Sequence, residues 1–520
     1  MEERIDIPDL DEITDLGSAK FLLGHLSRAL QQQHGQIEQQ STLIRTLQET
    51  IEALRHDIAE LSRSHHGQKS ERVVPVDREL RKERRAEETA EERAERLEKT
   101  RLKRERNREK RREKTPTVVI EHPVVDESCT TCGCPVDNAA PLADEVSEEY
   151  EYVPAHIIRR EHWRRRKVCH CGQFFVAPAP PRVVEGGIYG PGLHARTAVA
   201  KCADSIPLDR LAKGFRRAGV PLSKSTMGDL FHRTADHLEP VANRVLELIA
   251  AADHVHADET SLKVQDTEVC RRAFVWDFIA KSGGHTMVAY RFSPDRSGQT
   301  PDEVLGDSVG TLQVDGYTGY NKVTTPERRT RSGCWAHARR KFFAARETEP
   351  EHAEYAIDAI RVLYAVEYDA AERKIVGTDA HRALRRARSR PVVEDLFEWA
   401  EKLKPTIRPK SPLGVALKYL TNQRESLEVF LDDPNVALDN NISERHLRLI
   451  ALGRKNFLFV GHDQAGRNLA TLQTLVSSCI ANNVNPQTYL TDVLMRVQDH
   501  PHSQIDDLLP WNWRPPPQAE

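Results

Sequence analysis

The sequence predicts a multidomain chain of α+β and α parts, and three observations carry that expectation. An apolar heptad runs through the N-terminal region. Paired cysteines sit among polar residues further on. Alternating apolar segments then give way to a long helical stretch before the last apolar helix. At 520 residues the chain is also too long for one ordinary core, so two or more domains are expected.

Residues 20–64 are expected to form a coiled coil. Leu23, Leu30, Ile37, Ile44, Ile51 and Ile58 fall at position a, and Leu26, Leu47, Leu54 and Leu61 at d. Ile at a with Leu at d favours a parallel two-stranded seam, so the chain is expected to pair with a second copy, as a homodimer or higher oligomer. Gln33 and Gln40 interrupt the d series as polar layers that set register. Residues 65–115 read as a charged, partly helical linker. Its second half, "KTRLKRERNREKRREK", has ten basic and three acidic residues, suited to a solvated helix and to a nonspecific grip on phosphates.

Residues 116–182 are expected to form a small metal-closed module. Cys129 and Cys132 make a C-x-x-C pair, and Cys169 and Cys171 a C-x-C pair, with strand-like "EEYEYV" and "HIIRREHW" between. Thiolates paired at this spacing suit structural Zn²⁺, which would close a unit with too little core of its own. Residues 190–250 contain a helix, a Gly-bearing turn and a second helix opened by Ser/Thr residues. That is helix-turn-helix shape. Lys224, Ser225 and Thr226 would begin the inner helix, and Arg216 and Arg217 would face a DNA backbone.

From 251 to 495 the text reads as one further domain: three strands, a short helix at "TPDEVLGD", the strand "GTLQVDGY", a helical insertion at about 335–431, and a closing core helix at "LATLQTLVSSCIANN". A C-terminal tail, 496–520, completes the chain.

Composition narrows the class of partner. The overall charge is −3, but it is segregated. Residues 1–62 carry five Lys/Arg against twelve Asp/Glu, whereas residues 154–235 carry fifteen against five. The second region is a local cationic patch of the kind that meets phosphates. No run of 18 uncharged apolar residues occurs, so no membrane span is expected. The acidic start "MEERIDIPDLDEITD" lacks the features of an export signal, and a cytoplasmic, nucleoid-associated location is expected.

Three acids sit where chemistry is expected: Asp258 in "HVHADETSLKV", Asp315 in "GTLQVDGYTGY" and Glu444 in "LDNNISERHLRLIALGRKNFLF". The first two lie on strand-like segments and the third on a helix after an Asn-rich turn. Carboxylates delivered to one place from such elements suit a hard, oxygen-seeking cation such as Mg²⁺ or Mn²⁺. Glu259 alternates to the other strand face and is set aside. Glu444 has a simpler alternative, a surface ion pair with Arg448 one turn on. Arg445, Arg448, Arg454 and Lys455 suit phosphate contacts. His337 suits either a core position or a place near DNA. With 79 acidic residues in the chain, local context rather than spacing carries this assignment.

The contexts "GCWAHARRKFF", "ERHLRLIALGRKNFLFVG" and "LPWNW" closely resemble transposases of the insertion sequence 66 family. The resemblance implies a ribonuclease-H-like catalytic domain in which Asp258, Asp315 and Glu444 form an acidic triad. It implies a D-D-E DNA transposase that hydrolyses a phosphodiester at each element end and joins the freed 3′-hydroxyl to target DNA without a nucleotide cofactor. It also implies small accessory proteins encoded alongside. The family's zinc module usually has two C-x-x-C pairs, so the C-x-C pair departs from it and leaves Cys134 or His170 as alternative ligands. Two rivals stay open: a structure-specific nuclease of the same fold, and an inactive, transposase-derived DNA-binding regulator.

Overall fold

A computed structural model describes residues 16–66, 76–114, 135, 157–168, 174–267 and 269–515. Helix α1, Leu16–His66, is 51 residues long. Its heptad stripe is uncovered: Leu23, Leu30, Ile37, Ile44 and Ile51 are all more than half exposed. Helices α2 (Val76–Glu87) and α3 (Ala90–Lys114) follow. Between them Thr89 and Glu92 form a reciprocal capping box, the Glu92 amide donating to Thr89 Oγ1 and the Thr89 amide to Glu92 Oε2. That box starts α3 afresh and explains the break in an otherwise uniform charged run.

Strands β1 (Arg166–Val168) and β2 (Phe174–Val176) pair antiparallel on either side of the C-x-C pair. Cys129, Cys132, Cys169 and Cys171, with Cys134 and His170, lie outside the described residues, as do most of 116–156. Residues 157–165, expected as part of a strand, carry no regular structure. The segment has three apolar residues, Ile157, Ile158 and Trp163, among six Arg, Glu and His residues, and all three are exposed.

Helices α4 (Pro191–Cys202), α5 (Leu208–Arg217) and α6 (Lys224–Ala250) pack around Ala200, Leu211, Ala212, Met227 and Leu230. Gly219, at φ +82°, makes the turn between α5 and α6, and Ser223 caps α6 by accepting from the Thr226 amide at 3.0 Å.

The remaining strands are β3 (His254–Val264), β4 (Arg271–Ser282) and β5 (His285–Ser293). After helix α7 (Gln299–Leu305) come β6 (Gly310–Gln313) and β7 (Arg329–Ser332). They form a mixed sheet in the order β5-β4-β3-β6-β7. β4 and β5 run antiparallel; β3 with β6 and β6 with β7 run parallel. Gly310 begins β6 at φ +116°, where a Cβ would lie 2.3 Å from the Asp253 carbonyl, so only glycine fits.

Helices α8 (Trp335–Ala345), α9 (Pro350–Glu372), α10 (Asp379–Leu403), α11 (Pro412–Asn422) and α12 (Arg424–Glu428) share a core of their own, built on Trp335, Phe342, Ile360, Phe397 and Leu420. Helices α13 (Asn441–Phe457), α14 (Asp463–Ala481) and α15 (Pro486–Arg496) close the chain.

The described chain divides into two compact units. One takes in the described parts of 1–74 together with 253–258 and 301–444. The other takes in those of 75–252 together with 259–300 and 445–520. In the second unit α14 covers the outer edge of β5. Ser478 Oγ and Thr474 Oγ1 accept from the Val288 and Tyr290 amides at 3.2 and 2.9 Å, satisfying donors that an open edge would leave exposed. Within 497–515 the described chain is packed. Leu508, Leu509 and Trp513 are buried, Tyr489 Oη donates to the Leu508 carbonyl at 2.7 Å, and Trp513 Nε1 donates to Asp492 at 2.8 Å. Among the described residues no helix is long and apolar enough to cross a membrane.

Candidate active site

The first unit brings the segments of the three acids together. β3 and β6 pair in parallel register with His256 opposite Gln313. Two residues on from each member of that pair stand Asp258 and Asp315. Adjacent parallel strands lie about 4.8 Å apart, so this register brings the backbones of the two acid-bearing segments near each other where β6 ends. Both residues are half-buried.

The turn after Asp315 is held in several ways. Asp315 Oδ1 accepts from the Tyr317 amide at 2.8 Å, and Arg331 on β7 donates to the Asp315 and Tyr317 carbonyls at 2.7 and 2.5 Å. At Gly316 a Cβ would come within 2.8 Å of the Tyr419 ring, so the chain passes close against α11 there.

Helix α13 is fastened to β3 by its start. Asn440 Nδ2 donates to the Ala257 carbonyl at 2.8 Å, and Asn440 Oδ1 lies 3.0 Å from His256 Nδ1. Asn440 is therefore held between the residues immediately before Asp258, four positions ahead of Glu444. Asp439 is engaged separately, accepting from Tyr364 Oη at 2.7 Å and from the side chain of Asn441 at 2.6 Å. It serves the start of the helix.

The Glu444 carboxylate accepts from Arg340 Nη2 of α8 at 2.7 Å, and His337 Nε2 lies 3.9 Å away. The alternative of a surface pairing with Arg448 is not what this contact shows: Glu444 accepts from Arg340, and Arg448 is exposed. Burial holds the His337 imidazole below its ordinary pKa, and Arg340 acts in the same direction, while Asp315 and Glu444 oppose them. Among the described residues, no three His, Cys, Asp or Glu side chains gather closely enough to hold one metal ion. The Asp258 and Asp315 side chains are carboxylates, the hard oxygen donor type that Mg²⁺ prefers, and Glu444 faces Arg340.

The expected DNA-contacting residues divide. Arg216, Arg217, Lys224 and Ser225 are exposed around the turn between α5 and α6. The hydroxyls of Ser225 and Thr226 both lie within hydrogen-bond distance of Ser223 Oγ, so they also belong to the helix cap. In the second unit, Arg445 and Lys455 are exposed on α13. Arg454 is instead a tether: its Nη1 donates to Thr260 Oγ1 at 2.9 Å and to the Ser261 carbonyl at 2.6 Å. Glu259, set aside on the alternation argument, has a side chain only 2% exposed and receives the Arg296 guanidinium.

Sequence reasoning missed Arg340, Asn440 and Arg331. The basic run "HARRKF" and the "DNN" turn flagged their neighbourhoods, but 104 residues separate Arg340 from Glu444, and nothing local encodes that pairing.

The model of the Transposase IS66 family matches residues 186–468, and that of the IS66 C-terminal element matches 474–511. The chain is similar to three proteins of Sinorhizobium fredii (strain NBRC 101917 / NGR234). Uncharacterized protein y4hP is 31% identical over 76% of this chain and 75% of its own length. Uncharacterized protein y4qI is 34% identical over 72% of each, and uncharacterized protein y4jD is 33% identical over 75% of this chain and 80% of its own. With a family match over more than half of its length, the chain belongs to the IS66 transposase family.

Proposed function

We propose that the protein is a D-D-E DNA transposase in which Asp258, Asp315 and Glu444 are the catalytic acids. The observation that supports this reading is the His256–Gln313 register between parallel strands, from which Asp258 and Asp315 each lie two residues on, with Asn440 binding the start of the Glu444 helix to the same strand. The strand order β5-β4-β3-β6-β7, with an antiparallel hairpin at one end and parallel strands at the other, supports a ribonuclease-H-like core.

In this reading Asp258 and Asp315 form a two-acid platform, which Glu444 joins once it leaves Arg340. Mg²⁺ or Mn²⁺ held by these acids would supply neutralisation of charge on the scissile phosphate and activation of the attacking oxygen. The protein's own part is positioning. Asn440 fixes the α13 start and Arg331 fixes the turn after Asp315, while His337 lies beside Glu444 with its imidazole held below its ordinary pKa by burial. Arg445, Arg448 and Lys455, with Arg216, Arg217 and Lys224, would carry DNA phosphates. The α5–α6 pair would read the element's ends as a helix-turn-helix, and α1 would pair two protomers along its uncovered stripe. The cysteine module would hold structural Zn²⁺.

The test is a purified reaction with DNA carrying the element's ends and a target plasmid. Joining of those ends to the target supports the proposal. Cutting without joining would indicate a nuclease, and binding with neither would indicate a regulator.

A further inference from the structure

The segment after α13 combines strain, exposure and anchorage in a way folding alone does not call for. Four described residues other than glycine have positive φ: Ser205, Lys374, Leu458 and Asn483. Leu458 is the only apolar one of the four, at φ +63°, and its side chain is 63% exposed. A bulky residue is disfavoured in this left-handed conformation, where Gly or Asn is accommodated with less strain. A side chain so open to water also returns little burial. Phe459 beside it is 40% exposed.

This apolar tip is held firmly at its base. Lys201 of α4 places its ammonium 4.1 Å from the centre of the Phe457 ring. Asn456 Nδ2 donates to the Ser205 carbonyl at 3.0 Å. On the far side, the Val460 amide donates to the Lys263 carbonyl at 2.9 Å, and the Gln265 amide to the Val460 carbonyl at 2.8 Å, adding Val460 alongside the end of β3. One helical turn and less before the tip stand Arg454, tethered to β3, and Lys455, exposed.

We propose that Leu458 and Phe459 form a wedge that enters duplex DNA and unstacks a base step, with Lys455 on an adjoining phosphate. Three features on this segment match what such insertion requires. The tip is apolar and exposed. Its backbone is braced on both sides, so it resists the force of opening a step. Its flank is cationic, which selects a polyanion over another apolar surface. The inference deepens the transposase reading and rests on it.

The test uses the full-length protein and a mixed-sequence duplex with 2-aminopurine placed at successive positions. Binding of the wild type should raise fluorescence several-fold at one or two adjacent positions. Leu458→Asn and Phe459→Ala should each remove most of that rise. Affinity for the duplex should change by no more than about threefold, because phosphate contacts dominate it and the cost of unstacking is also removed. Leu458→Asn should melt at the same temperature as the wild type or higher, which separates lost insertion from lost folding. Unchanged fluorescence in the variants, or no rise with bound wild type, would overturn the wedge while leaving the transposase reading intact. A sedimentation change in the variants with the rise retained would also overturn it, since the surface would then meet protein. Failure of the wild type to bind any duplex would sink the transposase reading itself.

Discussion

Arg340 Nη2 donates to Glu444 Oε1 at 2.7 Å, joining α8 to the first turn of α13 across 104 residues of sequence. Each side chain keeps roughly 30% of its exposure, so the pair is one of moderate strength. In the proposed mechanism the same carboxylate binds a divalent cation, and Arg340 competes with that cation.

Arg340→Ala should therefore lower the Mn²⁺ concentration giving half-maximal cleavage. Losing a competing pair worth about 1 kcal/mol corresponds to a shift of about fivefold. Metal titration of the cleavage reaction reads this directly. An unchanged or raised midpoint would mean that Arg340 does not hold Glu444 away from metal.

The uncovered stripe of α1 leads to a second expectation. Ile44 and Ile51 are 56% and 51% exposed in the single chain, far more than aliphatic residues tolerate in register along one face. Replacing both with Asn should dissolve the self-associated species, because unmatched amides would be desolvated in the seam. Sedimentation of the double variant reads the result, and an unaltered profile would remove the coiled coil from the account.

Metal content tests the cysteine module. The purified chain should carry about one zinc, and Cys129→Ser with Cys132→Ser should release it. Full zinc occupancy in that double variant would show that these residues are not ligands.

Much of the fold was readable because burial leaves a period in the sequence. The alternation in "TLQVDGY" marks β6 and the face Asp315 shares with Gln313; the heptad also marks α1 as a helix, although its stripe is exposed in the single chain. β7 was not readable. Its sequence, Arg-Thr-Arg-Ser, has no apolar residue, yet Arg329 and Ser332 are buried. Arg329 instead donates to Ser308 Oγ at 2.8 Å, so the strand is specified by hydrogen bonds from another segment. The candidate site divides in the same way. The acids announce themselves through local context, whereas Asn440 and Arg340 act through contacts that only the folded chain creates.

Stability of the second unit should fall in mild acid. His194 on α4 is 2% exposed and its Nδ1 lies 3.0 Å from Thr234 Oγ1, whose own proton goes to the Leu230 carbonyl. Burial lowers its pKa from 6.5 to about 4. Between those values the unfolded chain takes up a proton that the folded chain refuses. Stability present above pH 6.5 is therefore lost as the pH falls towards 4, by on the order of 2 kcal/mol. His194→Gln should flatten that part of the melting-temperature profile. An identical slope in the variant would assign the acid sensitivity elsewhere.

The central claim is that Asp258, Asp315 and Glu444 act as one acidic centre, and end cleavage by charge-neutral variants tests it most directly. Asp258→Asn, Asp315→Asn and Glu444→Gln keep the shape of each side chain but remove the charge that holds a cation. Each should lower Mg²⁺-dependent cleavage and strand transfer by orders of magnitude while leaving binding to the ends intact. Ca²⁺, with its longer and looser coordination, should not support the reaction. Glu259→Gln, whose side chain is buried on Arg296, should stay largely active. Near-normal cleavage by Glu444→Gln alone would move the third acid elsewhere on the chain. Near-normal cleavage by all three variants would contradict the account.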